Sequence, residues 1–265
     1  MRTKEEIREE YRKKIIEYAQ KKDDEYNTRP DGTTRDRSTS VTVTDMCVWT
    51  TYCPRQIFYD KTARRPPLPE SLMRFQIGNA VHDIPLWDNE DELKNGYEQG
   101  FEWDGIKCRM DEIHYKDGII IDKKTVASLP LKVKPYVERQ LNIYKLIAEE
   151  NSKRPIKINQ LFVINIAVVN GKIQVQEVPI WPREQTLDFI NKTRNEIIMH
   201  VKNGIPPEVT YGSKGWMCDS CQYIDFCKID KSFVREDFKE NKEEKEEINK
   251  NENKSQVKIS VKKGK

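Results

Sequence analysis

Three cysteines crowded near the end of the chain constrain its fold more than any other feature. Cys218, Cys221 and Cys227 form a C-x2-C-x5-C pattern, a spacing that seldom arises by chance. A site of four thiolates needs one more ligand, and none lies nearby. Cys53, far upstream in TYCPRQIFY, is the best candidate for the fourth. The chain is therefore predicted to bring an early segment and a late segment to one site, which holds either Zn²⁺ or an iron–sulfur cluster.

The location predicted for the chain supports a metal role for the cysteines. The first residues, MRTKEEIREEYRKK, lack the apolar centre of a signal peptide. No segment approaches the roughly 20 apolar residues that a membrane helix needs. We therefore expect a cytoplasmic protein with no membrane partner. In a reducing compartment, cysteines are better explained by metal binding or catalysis than by disulfides.

Charge balance limits how the protein could engage nucleic acid. Lys and Arg number 47 against 44 Asp and Glu, so the formal net charge is only +3. This excludes a polycation that coats nucleic acid through bulk charge and leaves room for a local basic groove.

Hydrophobic periodicity and turn signals predict a mixed α/β domain. The element order is helix, strands, helix, strands, helix, with Asp-Gly and Asn-Gly pairs marking the hairpins. Thr44 is predicted to cap a helix, and Pro54 to break it or to start a new one. The predicted organisation is a charged helix and loop over 1–39, a folded domain with the cysteine site over 40–230, and a charged, disordered tail over 231–265.

An acid and a lysine share one face of a predicted strand. In GIIIDKKTV, Asp122 and Lys124 lie two residues apart, and strand alternation points both side chains the same way. A hairpin at Asp117-Gly118 would bring Asp111, on the preceding strand, beside Asp122. Two neighbouring carboxylates repel unless a cation or a proton neutralises them. The pattern suits Mg²⁺ or Mn²⁺ with a lysine facing a phosphate, but acid–x–Lys triplets are common and on spacing alone ordinary surface residues are the more frequent explanation.

Two flanking helices add further polar residues. His82 ends the segment GNAVHD before the strands, and Gln140 and Tyr144 share one face of the helix after them. Each of these residues is also compatible with a purely structural role.

The order of these motifs resembles that of the RecB-like PD-(D/E)XK nucleases. GNAVHD, CRMDEI, IIIDKKT and QLNIY occur in the family's succession. The resemblance implies a restriction-endonuclease-like α/β core, a mixed central sheet flanked by helices. It implies that His82, Asp111 and Asp122 hold Mn²⁺ or Mg²⁺. It further implies that Lys124 is the catalytic lysine and that Gln140 and Tyr144 position the DNA and the active site.

The cysteines point to one group within this nuclease superfamily. A cysteine followed by Pro-Arg before the nuclease motifs, with three cysteines after them, is similar to the CRISPR-associated exonucleases of the Cas-four type. This implies that Cys53, Cys218, Cys221 and Cys227 hold an iron–sulfur cluster of the four-iron type in a subdomain built from both ends of the domain. Cys47 remains a rival fourth ligand, and Cys108 is expected to be a small core residue.

The implied function is a metal-dependent exonuclease acting on DNA ends, single-stranded ends above all, during CRISPR adaptation beside the integrase proteins. Two alternatives stay open: a standalone or viral RecB-like recombination or repair nuclease, and a non-catalytic DNA-binding subunit with a metal cluster. Arg55 and Tyr59 are candidates for DNA contact, since Arg and aromatic side chains stack on bases. A homo-oligomer is also left open.

Overall fold

The computed structural model describes residues 3–28, 40–82, 84, 95–150, 156–208, 218 and 221–229. The chain divides into two compact units, Met1–Pro207 and Glu208–Lys265. The tail predicted over 231–265 lies outside the described residues. In the ranges given above, no helix is both long and apolar enough to span a membrane.

The first unit contains six helices and five strands among its described residues. The helices are α1 Lys4–Asn27, α2 Val43–Thr51, α3 Pro54–Thr62, α4 Pro69–His82, α5 Pro135–Glu150 and α6 Arg183–Asn203. The strands are β1 Asn95–Trp103, β2 Ile106–His114, β3 Ile119–Val126, β4 Gln160–Ala167 and β5 Lys172–Glu177. In the second unit, the described residues include the short helix α7, Ile224–Ile229.

The five strands form one mixed sheet in the order β1-β2-β3-β4-β5. Neighbouring strands are antiparallel except β3 and β4, which run parallel. A parallel pair needs a long crossover, and α5 supplies it. The predicted α/β fold, with a mixed central sheet flanked by helices, is confirmed.

Asp-Gly and Asn-Gly pairs end the strands as predicted. Asp104 and Gly105 join β1 to β2 with φ of 47° and 74°, the positive pair of a tight hairpin turn. Gly118 and Gly171, between β2 and β3 and between β4 and β5, each have φ of 67°. Gly118 is the most constrained, because a Cβ there would lie 2.2 Å from the carbonyl oxygen of Lys157. These local signals fix which strands are neighbours.

The core of this unit lies between the sheet and the helices α2, α5 and α6. Helix α5 carries apolar residues at helical spacing, and its Leu141 and Ile147 are fully buried. Each fully buried side chain of this size contributes about 1.5–3 kcal/mol relative to exposure. The core continues into α2, α6 and the sheet with Met46, Cys47, Ile113, Ile120, Leu161, Val163, Ile190 and Ile197.

Helix α2 begins two residues earlier than the sequence predicted. Thr42, not Thr44, is the N-cap: its hydroxyl accepts the N–H of Asp45, and the Asp45 carboxylate accepts the N–H of Thr42. Thr44 is exposed inside the helix. Pro54 starts the separate helix α3 at a position that has no intrahelical acceptor for an N–H, where proline costs nothing.

Candidate active site

Strands β2 and β3 pair over only part of their length. Their register runs from His114↔Ile119 to Glu112↔Ile121 and stops there, whereas β3 pairs with β4 along its whole length. One step beyond the last pair, Asp111 stands opposite Asp122. The two carboxylates therefore lie opposite each other at the point where the strands stop pairing, which we call the opening between β2 and β3.

Asp111 is held from two sides. Its Oδ2 accepts the backbone N–H of Lys123 at 2.6 Å, in place of a carbonyl of the ladder, and its Oδ1 lies 3.0 Å from Nδ1 of His82 at the end of α4. Burial opposes its ionisation, but His82 and the charge of Lys124 outweigh burial, so the pKa of Asp111 is lowered. The same contact with Asp111 raises the pKa of His82.

Asp122 and Lys124 form the second half of the site. The carboxylate of Asp122 is 1% exposed, and its Oδ2 lies 2.7 Å from Nζ of Lys124. Burial raises the pKa of Asp122 to about 6 despite the neighbouring ammonium. Burial alone would lower the pKa of Lys124, yet the interactions with Asp122, Tyr136 and Asp111 together outweigh it, and the net shift is upward. The Lys124 ammonium also lies 5.8 Å from the ring centroid of Tyr136.

Helix α5 places Gln140 and Tyr144 beside these residues. Nε2 of Gln140 donates to the Tyr144 hydroxyl at 2.7 Å, and both side chains are buried. Burial, and then the charge of Asp122, raise the pKa of Tyr144 well above its ordinary value. Oε1 of Gln140 is buried and accepts no hydrogen bond from the part of the protein described. A buried acceptor of this kind calls for a water or a ligand.

Arg55 and Tyr59 lie in α3. Arg55 is 3% exposed, and its Nε donates to the carbonyl of Pro207 at 2.7 Å. Tyr59 is half-buried, and its ring packs edge-on against Phe58 with 5.2 Å between centroids. The Arg55 guanidinium is thus buried, and DNA contact through Arg55 or Tyr59 stays a prediction.

The cysteines of the first unit differ in their surroundings. Cys53 is half-buried and is the N-cap of α3. Burial raises the pKa of its thiol, and the backbone N–H groups of Gln56 and Arg55 offset part of that effect. Cys47 is fully enclosed in the core, where burial raises its pKa. Cys108 packs against the core, and burial raises its pKa to about 12.

The other three cysteines lie in the second unit, and Cys227 is inside α7. The N–H of Cys221 donates to the carbonyl of Cys218, and the N–H of Cys227 donates to that of Tyr223. Cys227 and Tyr223 are buried. Among the described residues, these three thiols do not converge to form a ready metal site.

The residues at the opening provide the donor set of a hard divalent cation. One imidazole nitrogen and two carboxylates suit Mn²⁺ or Mg²⁺. Across the described residues, no three His, Cys, Asp or Glu side chains already converge to hold a metal. The reason is local, because Asp111 is bound to His82 and to a backbone amide while Asp122 faces Lys124. The donor chemistry fits a cation that would displace these contacts.

Comparison with known families decides the classification. The family model of the PD-(D/E)XK nuclease superfamily matches residues 87–228, more than half of the chain. This protein belongs to the PD-(D/E)XK nuclease superfamily. The matched range includes Asp111, Asp122 and Lys124, and His82 precedes it. Membership indicates a metal-dependent nuclease, with DNA the substrate that such a family suggests.

A solved structure shares the nuclease fold. The crystal structure of SSO0001 superposes with a TM-score of 0.53 at 17% sequence identity, covering 83% of this chain and 98% of that chain. At this identity the likeness concerns the fold alone. Among curated proteins, no match was found.

Three residues next to the candidate site were not predicted from the sequence. Tyr136 borders Lys124, and Glu112 and Lys123 form a buried ion pair on the strands that carry Asp111 and Asp122. The sequence did contain a signal for Glu112 and Lys123. Each is next to a site residue on an apolar strand, so strand alternation points its side chain to the opposite, covered face of the sheet.

Proposed function

We propose that this PD-(D/E)XK nuclease is a divalent-metal-dependent exonuclease that acts on DNA ends, with single-stranded ends as its preferred substrate. One observation carries the proposal: Asp111, Asp122 and Lys124 meet at the opening between β2 and β3, with His82 in contact with Asp111. A buried pair of carboxylates beside an ammonium is costly as mere structure. The same groups are the ones needed to bind a cation and a phosphodiester next to each other.

In this proposal, His82, Asp111 and Asp122 hold Mn²⁺ or Mg²⁺. When bound, such a cation lowers the pKa of a water and stabilises the charge that develops on the phosphate. The Lys124 ammonium, 2.7 Å from Asp122 Oδ2, places a second positive charge at the same point. A phosphate oxygen that approaches Asp122 would therefore meet Lys124 as well, and the positive charge would stabilise the transition state electrostatically.

Gln140 and Tyr144 act as positioning residues. Their hydrogen bond fixes the Gln140 amide, which leaves its Oε1 as a buried acceptor that a water or the substrate could use. The charge of Asp122 acts on Tyr144 directly, so the pair on α5 and the carboxylates on the strands belong to one electrostatic site.

We further propose that Cys53, Cys218, Cys221 and Cys227 hold an iron–sulfur cluster of the four-iron type. Two features support this assignment. The N–H groups of Gln56 and Arg55 offset part of the rise in pKa that burial causes at Cys53, and the other three cysteines lie within ten residues of one another in the sequence. Cys47 is the weaker candidate, because it is enclosed in the apolar core.

The biological setting proposed is CRISPR adaptation, in which the nuclease trims DNA ends before the integrase proteins use them. The support is the arrangement of cysteines around the nuclease motifs, which is similar to that of the Cas-four type. A role in recombination or repair would use the same chemistry on the same ends. Pull-down of the purified nuclease with CRISPR integrase proteins from the same genome separates the two settings.

Cleavage of end-labelled DNA tests the nuclease. Single- and double-stranded oligonucleotides labelled at either end are incubated with wild type, Asp122→Asn or Lys124→Ala in the presence of Mn²⁺. We expect progressive shortening by wild type and a loss of at least about 100-fold in each variant. Asp117→Asn and Lys116→Ala, in the exposed turn before β3, are the matched controls and should cut like wild type. Equal cutting by Lys124→Ala would remove the proposed active site.

Metal content tests the cluster. Iron, sulfide and zinc are measured in protein purified without oxygen, together with visible absorption. We expect wild type and Cys47→Ser to retain iron and sulfide in equal amounts, and Cys53→Ser and Cys218→Ser to lose them. A colourless wild-type protein with stoichiometric zinc would replace the cluster by a zinc site.

A further inference from the structure

A buried ion pair lies directly behind the carboxylates of the site. Glu112 follows Asp111 on β2, and Lys123 follows Asp122 on β3. Alternation turns their side chains away from the face of Asp111, Asp122 and Lys124. Nζ of Lys123 contacts Oε1 of Glu112, and both side chains are about 95% buried.

Lys123 joins three segments at this point. Its ammonium binds Glu112 on β2 and also donates to the carbonyl of Ile84, two residues past His82. Its backbone N–H donates to Oδ2 of Asp111 at 2.6 Å. One residue therefore connects β3 with β2 and with the chain that leaves α4, and both of those segments carry residues of the proposed metal site.

The position of the pair explains why it is needed. Glu112↔Ile121 is the last backbone pair between β2 and β3, so beyond it the ladder no longer fixes the distance between the strands. The ion pair bridges them at that step. Stability is a poor reason for such a pair, because well-packed apolar side chains of similar volume often do as well or better than two buried charges. An apolar side chain, however, could not hold the Ile84 carbonyl.

We propose that Glu112 and Lys123 are a positioning pair that holds His82 and Asp111 in the arrangement that accepts a divalent cation. The inference rests on the proposed metal site. Neither residue touches the substrate in this scheme. Lys123 acts on His82 through Ile84 and on Asp111 through its own amide, and Glu112 acts by fixing the Lys123 ammonium.

Calorimetric titration of the full-length protein with Mn²⁺, without DNA, tests the pair. The variants are Lys123→Met, Glu112→Gln and the double variant Glu112→Leu/Lys123→Met, each with its metal-free melting temperature. Residues that orient metal ligands typically change affinity about 10- to 100-fold when replaced. We expect Mn²⁺ affinity to fall by that factor in Lys123→Met and in the double variant, and several-fold in Glu112→Gln.

The double variant separates positioning from stability. Removal of both charges should return the melting temperature close to that of wild type, while Mn²⁺ affinity stays low. At saturating Mn²⁺, the KM for DNA should match wild type, because neither side chain contacts DNA. Glu102→Gln/Lys107→Met removes an exposed pair on the neighbouring strands, 3.6 Å apart, and should leave Mn²⁺ affinity unchanged.

Three outcomes would overturn the proposal. Wild-type Mn²⁺ affinity in a folded double variant reduces the pair to a structural element. Should the double variant fail to fold, wild-type affinity in the nearly isosteric Glu112→Gln leads to the same conclusion. A wild-type protein that binds no Mn²⁺, with a titration identical to that of Asp122→Asn, would instead remove the metal site itself and this inference with it.

Discussion

The Lys124 ammonium lies 2.7 Å from Oδ2 of Asp122, a carboxylate that is 1% exposed. The lysine is therefore the internal counter-charge of a buried acid, and a metal cation would compete with it for the same oxygen.

The first prediction concerns this competition. Lys124→Met should lower the free energy of unfolding by about 1–3 kcal/mol without metal, because Asp122 loses its charged partner. Added Mn²⁺ should stabilise the variant more than wild type, since no ammonium has to be displaced from the carboxylate. Denaturant unfolding with and without Mn²⁺ measures both effects.

Lys145→Met is the control for that measurement. Lys145 pairs with Glu149 at 2.6 Å along α5, an i,i+4 contact worth about 0.3–0.5 kcal/mol. Its loss should have no influence on the Mn²⁺ effect. Equal stabilisation of wild type and Lys124→Met by Mn²⁺ would show that the cation does not engage Asp122.

A second prediction concerns the Gln140–Tyr144 hydrogen bond. Tyr144→Phe removes the acceptor of Gln140 Nε2 and leaves a buried amide with no hydrogen bond to a side chain, which costs about 1–3 kcal/mol. Gln140→Met/Tyr144→Phe should recover most of this loss, because both polar partners are then gone. A double-mutant cycle by denaturation gives the coupling, and Tyr11→Phe on the exposed face of α1 should be neutral. Additive losses would contradict the pairing.

The N-cap of α2 gives a third prediction with its control two residues away. Thr42→Ala removes the hydroxyl that accepts the N–H of Asp45, while the backbone N–H of residue 42 can still donate to the Asp45 carboxylate; the loss should destabilise the protein by about 0.5–2 kcal/mol. Thr44→Ala, at an exposed position inside the helix, should be neutral or slightly stabilising. Thermal unfolding of the two variants measures these effects. A larger loss of stability in Thr44→Ala than in Thr42→Ala would show that Thr44 is the N-cap, as predicted from the sequence.

Two glycines give a fourth prediction, with opposite signs. Gly118→Ala puts a Cβ 2.2 Å from a backbone carbonyl at a φ of 67°, so we expect a loss of more than about 1–3 kcal/mol. Gly78→Ala, in α4, meets only the Thr125 hydroxyl at 3.8 Å, an ordinary contact. Alanine there should raise stability by about 0.5–1 kcal/mol. Melting temperatures that shift in the same direction in both variants would refute this contrast.

The sheet was predictable because its signals are local. The turns at Asp104-Gly105, Gly118 and Gly171 need positive φ, which marks where the strands end. The alternation of apolar and polar residues then indicates which side chains face the core. The true cap of α2 was also accessible, since Thr42 stands three residues before Asp45 in a capping-box pattern.

Other features depend on long-range packing that no short motif encodes. The early end of the β2–β3 ladder and the contact of His82 with Asp111 are examples. The burial of Arg55 and Lys123 also depends on long-range packing. Arg and Lys are almost never fully buried without partners, and the partners of these two residues come from distant segments.

The hydrogen bond from the Lys123 amide to Asp111 has a consequence for spectroscopy. An amide inside a regular ladder exchanges with solvent at a rate that reflects the backbone around it. This one is shielded by a single carboxylate, so its exchange rate and chemical shift report whether Asp111 is charged, in place and free of other partners. The Lys123 amide resonance therefore follows events at the proposed active site.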